Sequence, residues 1–246
     1  MNVKFYIIIT LVSLMPVMSS CGTGNFFDCD GGYAGSNCAR LTKDEQARVA
    51  LDNGDLTTAV ELLAELVADE PEVYERYPLL AAAYASKSGL DIFNIVTANF
   101  GGDSSILQVM ETFVPTPTAL GSAYEASLRD MSAGIQILTA IPASLRTTTS
   151  SDKYATSAVL QLTLYQAAYG VMLLNKFTYS ASGYDPSLLA TMTAEDAMLI
   201  LNAFLGAAEA AGGGAATSVA GAISAIQSQP GSTDQEKIAA WSQSAR

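Results

Sequence analysis

The chain has 246 residues, half of them apolar, which is enough to bury one large core or two small ones. Twelve basic residues stand against 24 acidic ones, for a formal net charge of −12, and no Lys or Arg occurs between positions 177 and 236, so the clustered basic surface behind nucleic-acid affinity is missing. There is no histidine, which excludes Ser-His-Asp and Cys-His nucleophile systems, His-ligated zinc and the His-Glu-x-x-His proteases.

The first twenty residues read as a secretory signal. Lys4 precedes an apolar run from Phe5 to about Val17, too short for an ordinary membrane-spanning helix and interrupted by Pro16. Met18-Ser19-Ser20-Cys21 then resembles the bacterial lipobox, although Met18 stands where that motif usually has Leu. The resemblance implies cleavage before Cys21, acylation of Cys21 and a lipid anchor. Gly22, in place of Asp, implies the outer membrane, with the body on the periplasmic side. Loss of residues 1–20 removes Lys4 and no acid, so the mature chain is more acidic still. An acyl chain supplies the membrane affinity that an anionic surface cannot.

Residues 21–40 form a Gly/Asn-rich tether. Once Cys21 is acylated, Cys29 and Cys38 remain as an even pair in an oxidising compartment, and a disulfide between them is expected. Two free thiols are the alternative. Asp28-Cys29-Asp30 has the beginning of a calcium loop. Counted from Asp28, however, the positions that need Gly and Glu hold Tyr33 and Ala39, so no metal site is expected.

From Leu41 onward the periodicity is helical, without a convincing alternating stretch, and the expected fold is all-α over 41–246. Thr42 and Glu45 have capping-box spacing and open a helix to about Asp52. Asn53-Gly54-Asp55 is a turn, and a second helix runs from Leu56 to about Ala68, before Pro71. A third covers Val73 to about Ser88, stopped by Gly89. Shorter helices are expected near 90–99 and 103–113, a long one from Thr118 to Ala140, and the longest from Asp152 to Tyr179. The last is apolar on several faces and belongs in the centre of the core. Its Gln161, Gln166 and Asn175 argue against a membrane span. Ser180–Asp185 reads as a loop, and helices near 193–211, 215–228 and 233–244 complete the chain. Gly212–Gly214 is a flexible turn, with no basic residue nearby to help hold an anion.

Residues 54–71 resemble the second half of a tetratricopeptide repeat. The match lies in Gly54-Asp55 at the turn, small Ala59, apolar Leu63 and Leu66, and Pro71 closing the unit. Tyr77, Leu80, Ala81 and Tyr84 keep the spacing of a following first helix. Phe93 is then too large for the next small position, and no such period is visible after residue 100. The expected architecture is therefore TPR-like antiparallel hairpins passing into an irregular helical array or bundle. An acidic, lipidated, all-helical chain with degenerate repeats resembles the T-component lipoproteins associated with TRAP transporters. That resemblance implies a periplasmic solute-binding protein as partner and a body with a cavity for an apolar ligand.

Candidate functional residues follow from these readings. In repeat register the concave face of the third helix is Glu75, Pro78, Ala82, Ala85 and Ser86, and Tyr74 adds apolar area with a polar handle. An apolar cavity would be lined by Tyr165, Tyr169, Met172 or Phe177. Ser150 and Lys153 have the Ser-x-x-Lys spacing of penicillin-binding enzymes but lack the companion motifs, so a helix cap is the simpler reading. Asp69, Glu70, Glu72 and Glu75 read as a solvated turn. No catalytic residue, cofactor or metal is expected. The leading expectation is a non-enzymatic adaptor. A carrier of a small apolar ligand is the alternative, and a self-associating envelope subunit, with a second copy as partner, is the third.

Overall fold

In the computed structural model the described residues are 41–91, 106–147, 153–211 and 214–246. They contain ten α-helices: α1 (Lys43–Asp52), α2 (Leu56–Asp69), α3 (Arg76–Lys87), α4 (Ile106–Glu111), α5 (Pro117–Leu120), α6 (Tyr124–Ala140), α7 (Lys153–Asn175), α8 (Ala194–Ala210), α9 (Gly214–Gln227) and α10 (Asp234–Ser244). The fold is all-α. The only sheet among the described residues is a two-stranded hairpin, β1 (Tyr179–Ser180) and β2 (Gly183–Tyr184). The signal, Cys21, Cys29, Cys38, Ser150, Gly212 and most of the helix expected near 90–99 lie outside the described residues.

The first three helices stack in sequence order. Thr42 and Glu45 form the expected capping box at the start of α1, and Asp55 caps α2 by accepting from the Thr58 backbone N–H at 3.2 Å. Ala47, Ala50 and Ala59 are buried in this stack, so the backbones approach closely around Leu63, Leu66 and Leu80. Lys43 at the start of α1 reaches Glu65 (3.0 Å) and Asp69 (3.8 Å) at the end of α2, which is the antiparallel arrangement the Asn-Gly-Asp turn implies.

The third helix begins at Arg76, three residues later than its apolar pattern predicts. Residues 71–75 are held as turns instead, with Val73 N–H donating to Glu70 O and Arg76 N–H to Val73 O, and the Tyr77 hydroxyl donating to Pro71 O at 2.8 Å. The long helix expected from Thr118 is also broken. Gly121 adopts φ +53° and ends α5, and a 3-10 turn over Gly121–Ala123 leads into α6. The longest helix stops at Asn175, and residues expected to finish it or form a loop make the hairpin, with Tyr179 opposite Tyr184 at 5.7 Å between ring centres.

α7 is the axis of the larger core. α3, α6 and α8 all pack with it, and the chain runs antiparallel at each step from α6 to α8. The Tyr124 hydroxyl on α6 donates to Met172 O on α7 at 2.7 Å, and burial pushes that phenol well above its usual range. Gly170 on α7 leaves room for the Phe204 ring, whose edge would lie 3.2 Å from a Cβ there. Phe204 in turn meets Trp241 of α10 edge-on at 5.9 Å. By length and composition α7 could cross a membrane, but most of its apolar stretch is buried within the protein.

Candidate functional site: a groove along the central helix

Two open cavities, of about 400 and 420 Å³, lie end to end over α7 between α6 and α8. Their floor is one stripe of α7, Val159, Leu162, Gln166, Tyr169 and Leu173, continued by Lys176 just past its end. The steps of three and four residues place those on α7 on one helical face. The stripe covers eighteen positions, a rise of roughly 26 Å at about 1.5 Å per residue.

The α6 wall presents Arg129, Ser132, Ala133 and Gln136 at one end, and Thr139 followed by Arg146 at the other. Small residues here keep the groove wide. The α8 wall presents Asp196 and Leu199, then Gly206 and Glu209. Gln166 comes close to Gly206: a Cβ there would meet the amide nitrogen at 2.5 Å, and the flexible Gln side chain would have to move aside. Gln166 Oε1 is itself buried without a hydrogen-bond partner. Above this wall α8 exposes Met198, Leu199 and Leu205, an apolar ridge beside the groove.

The charges at the ends are differently engaged. Lys176 on the floor pairs with Glu125 at 3.0 Å. Asp196 accepts from the Thr193 hydroxyl (2.5 Å) and backbone N–H (3.0 Å), completing the capping box of α8. The Thr193 hydroxyl bond holds this carboxyl below its ordinary range, and Lys176 adds to the effect. Arg146 Nε donates to Ile141 O at 2.9 Å, which turns the residue back over the end of α6.

The structure disperses the residues singled out from sequence. On α3, Pro78 and Ala85 are buried, Ala85 completely, because α6 crosses that face; a Cβ on Gly134 of α6 would lie 3.1 Å from Ala81 O. Those two residues therefore do not form part of an exposed concave surface. Glu75 is exposed, Ala82 and Ser86 are half-buried, and half-buried Tyr74 packs against Tyr77 and Tyr154. Of the expected cavity residues, Tyr165 and Met172 are sealed in the core, where burial raises the Tyr165 phenol well above its usual range and leaves its hydroxyl without a partner. Phe177 packs at the margin of the core, and only Tyr169 lines a groove. Sequence reasoning missed the rest of the floor. Its signal is Gln166 at helical spacing with Tyr169 and Leu173, followed at the same spacing by Lys176 just past the helix.

A second polar cluster lies at the C-terminal end of α7. The Arg246 guanidinium pairs with Glu111 of α4, donates to Thr178 Oγ1 (3.1 Å) and Asn175 Oδ1 (3.4 Å), and lies over the Tyr184 ring at 5.0 Å. Its own arginine fills this site, which acts as a clasp between α10, α4 and the hairpin. No group of three or more His, Cys, Asp or Glu suited to a metal ion occurs among the described residues. The acids near Pro71 are exposed; Asp69 and Glu70 are engaged by Lys43 and Arg76, as a solvated turn requires.

No protein-family model, curated protein or solved structure matches the chain.

Proposed function

We propose that the protein is a non-enzymatic adaptor, anchored through lipid on Cys21 to the outer membrane and facing the periplasm, whose groove along α7 seats a segment of a partner protein. The observation that carries this reading is the row of residues from Val159 to Lys176 that floors both cavities, flanked by α6 and α8 and bordered by exposed Met198, Leu199 and Leu205. A channel of this length with two helical walls has the shape that accepts a third helix, and apolar anchors at helical spacing are how such grooves bind. The anchor rests on Met18-Ser19-Ser20-Cys21, and the solute-binding protein of a TRAP transporter is the most specific form of the partner, supported by the repeat-like residues 54–93.

The carrier reading finds less support. Tyr165 and Met172 are packed solid, and both cavities are open and carry charged residues. Affinity capture from native envelope extract, with mass spectrometry of proteins and small molecules, tests the choice. Recovery of one periplasmic protein is expected. Recovery of a lipid or another apolar molecule with no protein would instead favour the carrier, and recovery of the chain alone would favour a self-associating subunit.

A further inference from the structure

Resting on the docking reading, we infer that the groove receives an amphipathic helix of the partner that carries carboxylates facing the α6 wall, over Arg129 and Arg146. In a chain with twice as many acids as bases, cations are scarce. Lys43, Arg76, Lys87, Lys176 and Arg246 all form ion pairs. Arg48, Arg129, Arg146 and Lys237 form none among the described residues; of these four, Arg129 and Arg146 line the groove, one in each cavity, on the same wall.

The remaining groove charges do not cancel them. Glu125 is taken by Lys176, and Asp196 by the Thr193 cap. Glu209 lies on the opposite wall, near the Arg146 end. Among the described residues the groove thus has two unpaired guanidiniums on its α6 side and one unpaired carboxylate on its α8 side. A helix lying in it is oriented about its own axis by this asymmetry, with acids toward α6 and its apolar stripe on Tyr169 and the exposed Leu199. Between these lie the neutral, small side chains of Ser132 and Ala133.

The two guanidiniums stand in different cavities: Arg129 lies on α6, and Arg146, past its end, is tied back to Ile141 O. On a partner helix, carboxylates eleven residues apart are separated by about three turns and share one face, so one can address each cavity.

The test is fluorescence anisotropy on the full chain, with a labelled 18-residue helical peptide bearing a Leu/Ala stripe and Glu at its positions 4 and 15. A second peptide carries Lys at the same positions. The Glu peptide is expected to bind about tenfold more tightly, with a preference that falls as salt rises. Arg129→Glu is expected to reverse the order; Arg129 is exposed and holds no ion pair, so circular dichroism should show the fold unchanged. Ala133→Trp, which fills the groove, is expected to abolish binding of both. Equal binding of the two peptides, blocked by Ala133→Trp, would overturn the charge inference and leave the docking reading standing. Failure of both peptides to bind the folded chain, or binding that survives Ala133→Trp, would overturn both.

Discussion

The two hydrophobic clusters of the body are built by different rules. The α1–α3 cluster is small and rich in alanine, with Leu63, Leu66 and Leu80 as its larger members. It relies on short inter-helix distances, on caps and on ion pairs at its edge: Arg76 holds Asp44 at 3.0 Å and Glu70 at 2.7 Å and donates to Leu66 O at 3.1 Å. The cluster around α7 is assembled from Tyr165, Met172, Leu174, Phe204, Ile238 and Trp241, drawn from residues far apart in sequence. The contrast teaches where each kind of information sits. Close packing through alanine needs exact local turns and is written locally. Packing through large side chains tolerates irregular connections and is written over long distances.

The largest effect should come from the second cluster. Phe204→Ala removes a fully buried ring that touches α7 and Trp241 at once, and is expected to cost about 3–5 kcal/mol in urea unfolding. Leu63→Ala should cost somewhat less, about 2–4 kcal/mol. It sharpens the comparison by its locality: hydrogen exchange should rise in α1–α3 well before it rises in α7. Uniform acceleration across both regions would mean that the two clusters unfold as one. Arg246→Gln should cost about 2 kcal/mol, because Glu111 and the buried Asn175 lose a charged partner, and α10 should show the earliest exchange.

The smallest effect is a pH dependence. The carboxyls of Glu45, Asp55, Asp196 and Glu236 all lie below their ordinary ranges, chiefly through hydrogen bonds from the backbone and hydroxyls at helix starts, those of Thr42, Thr58, Thr193 and Ser232. Carboxyls lowered by folding stabilise the native state above their unfolded pKa, and that stability is lost as pH falls through the folded values. Thermal midpoints should therefore be flat above about pH 5 and fall below about pH 4. Thr193→Ala should reduce that slope. An unchanged slope would mean that the α8 cap does not contribute.

The α1–α3 region was almost wholly legible in the sequence, since Thr42, Glu45, Asn53-Gly54-Asp55 and Gly89 are local signals acting within one turn of the chain. The error lay at Val73–Glu75, where an apolar residue before a helix mimics its first turn; the bond from Tyr77 to Pro71 O holds those residues as a turn instead. The break at Gly121 shows the same limit, because a single left-handed glycine in a helical pattern reads as a tolerated interruption. The candidate site was much less legible. Repeat register placed Pro78 and Ala85 on an open face, but α6, fifty residues further along the chain, covers it. The stripe on α7 was hidden because that helix is apolar on nearly every side, so periodicity cannot say which face stays open.

The central claim is that the partner sits along α7 between α6 and α8. It is tested most directly by site-specific photocrosslinking in native envelopes, with a benzophenone amino acid at Ser132 in the groove and, as the comparison, at Glu61 on the exposed face of α2. The account predicts a discrete crosslinked partner from Ser132 and none from Glu61. A partner captured from Glu61 and not from Ser132 would place the interaction on the repeat-like hairpin and contradict it.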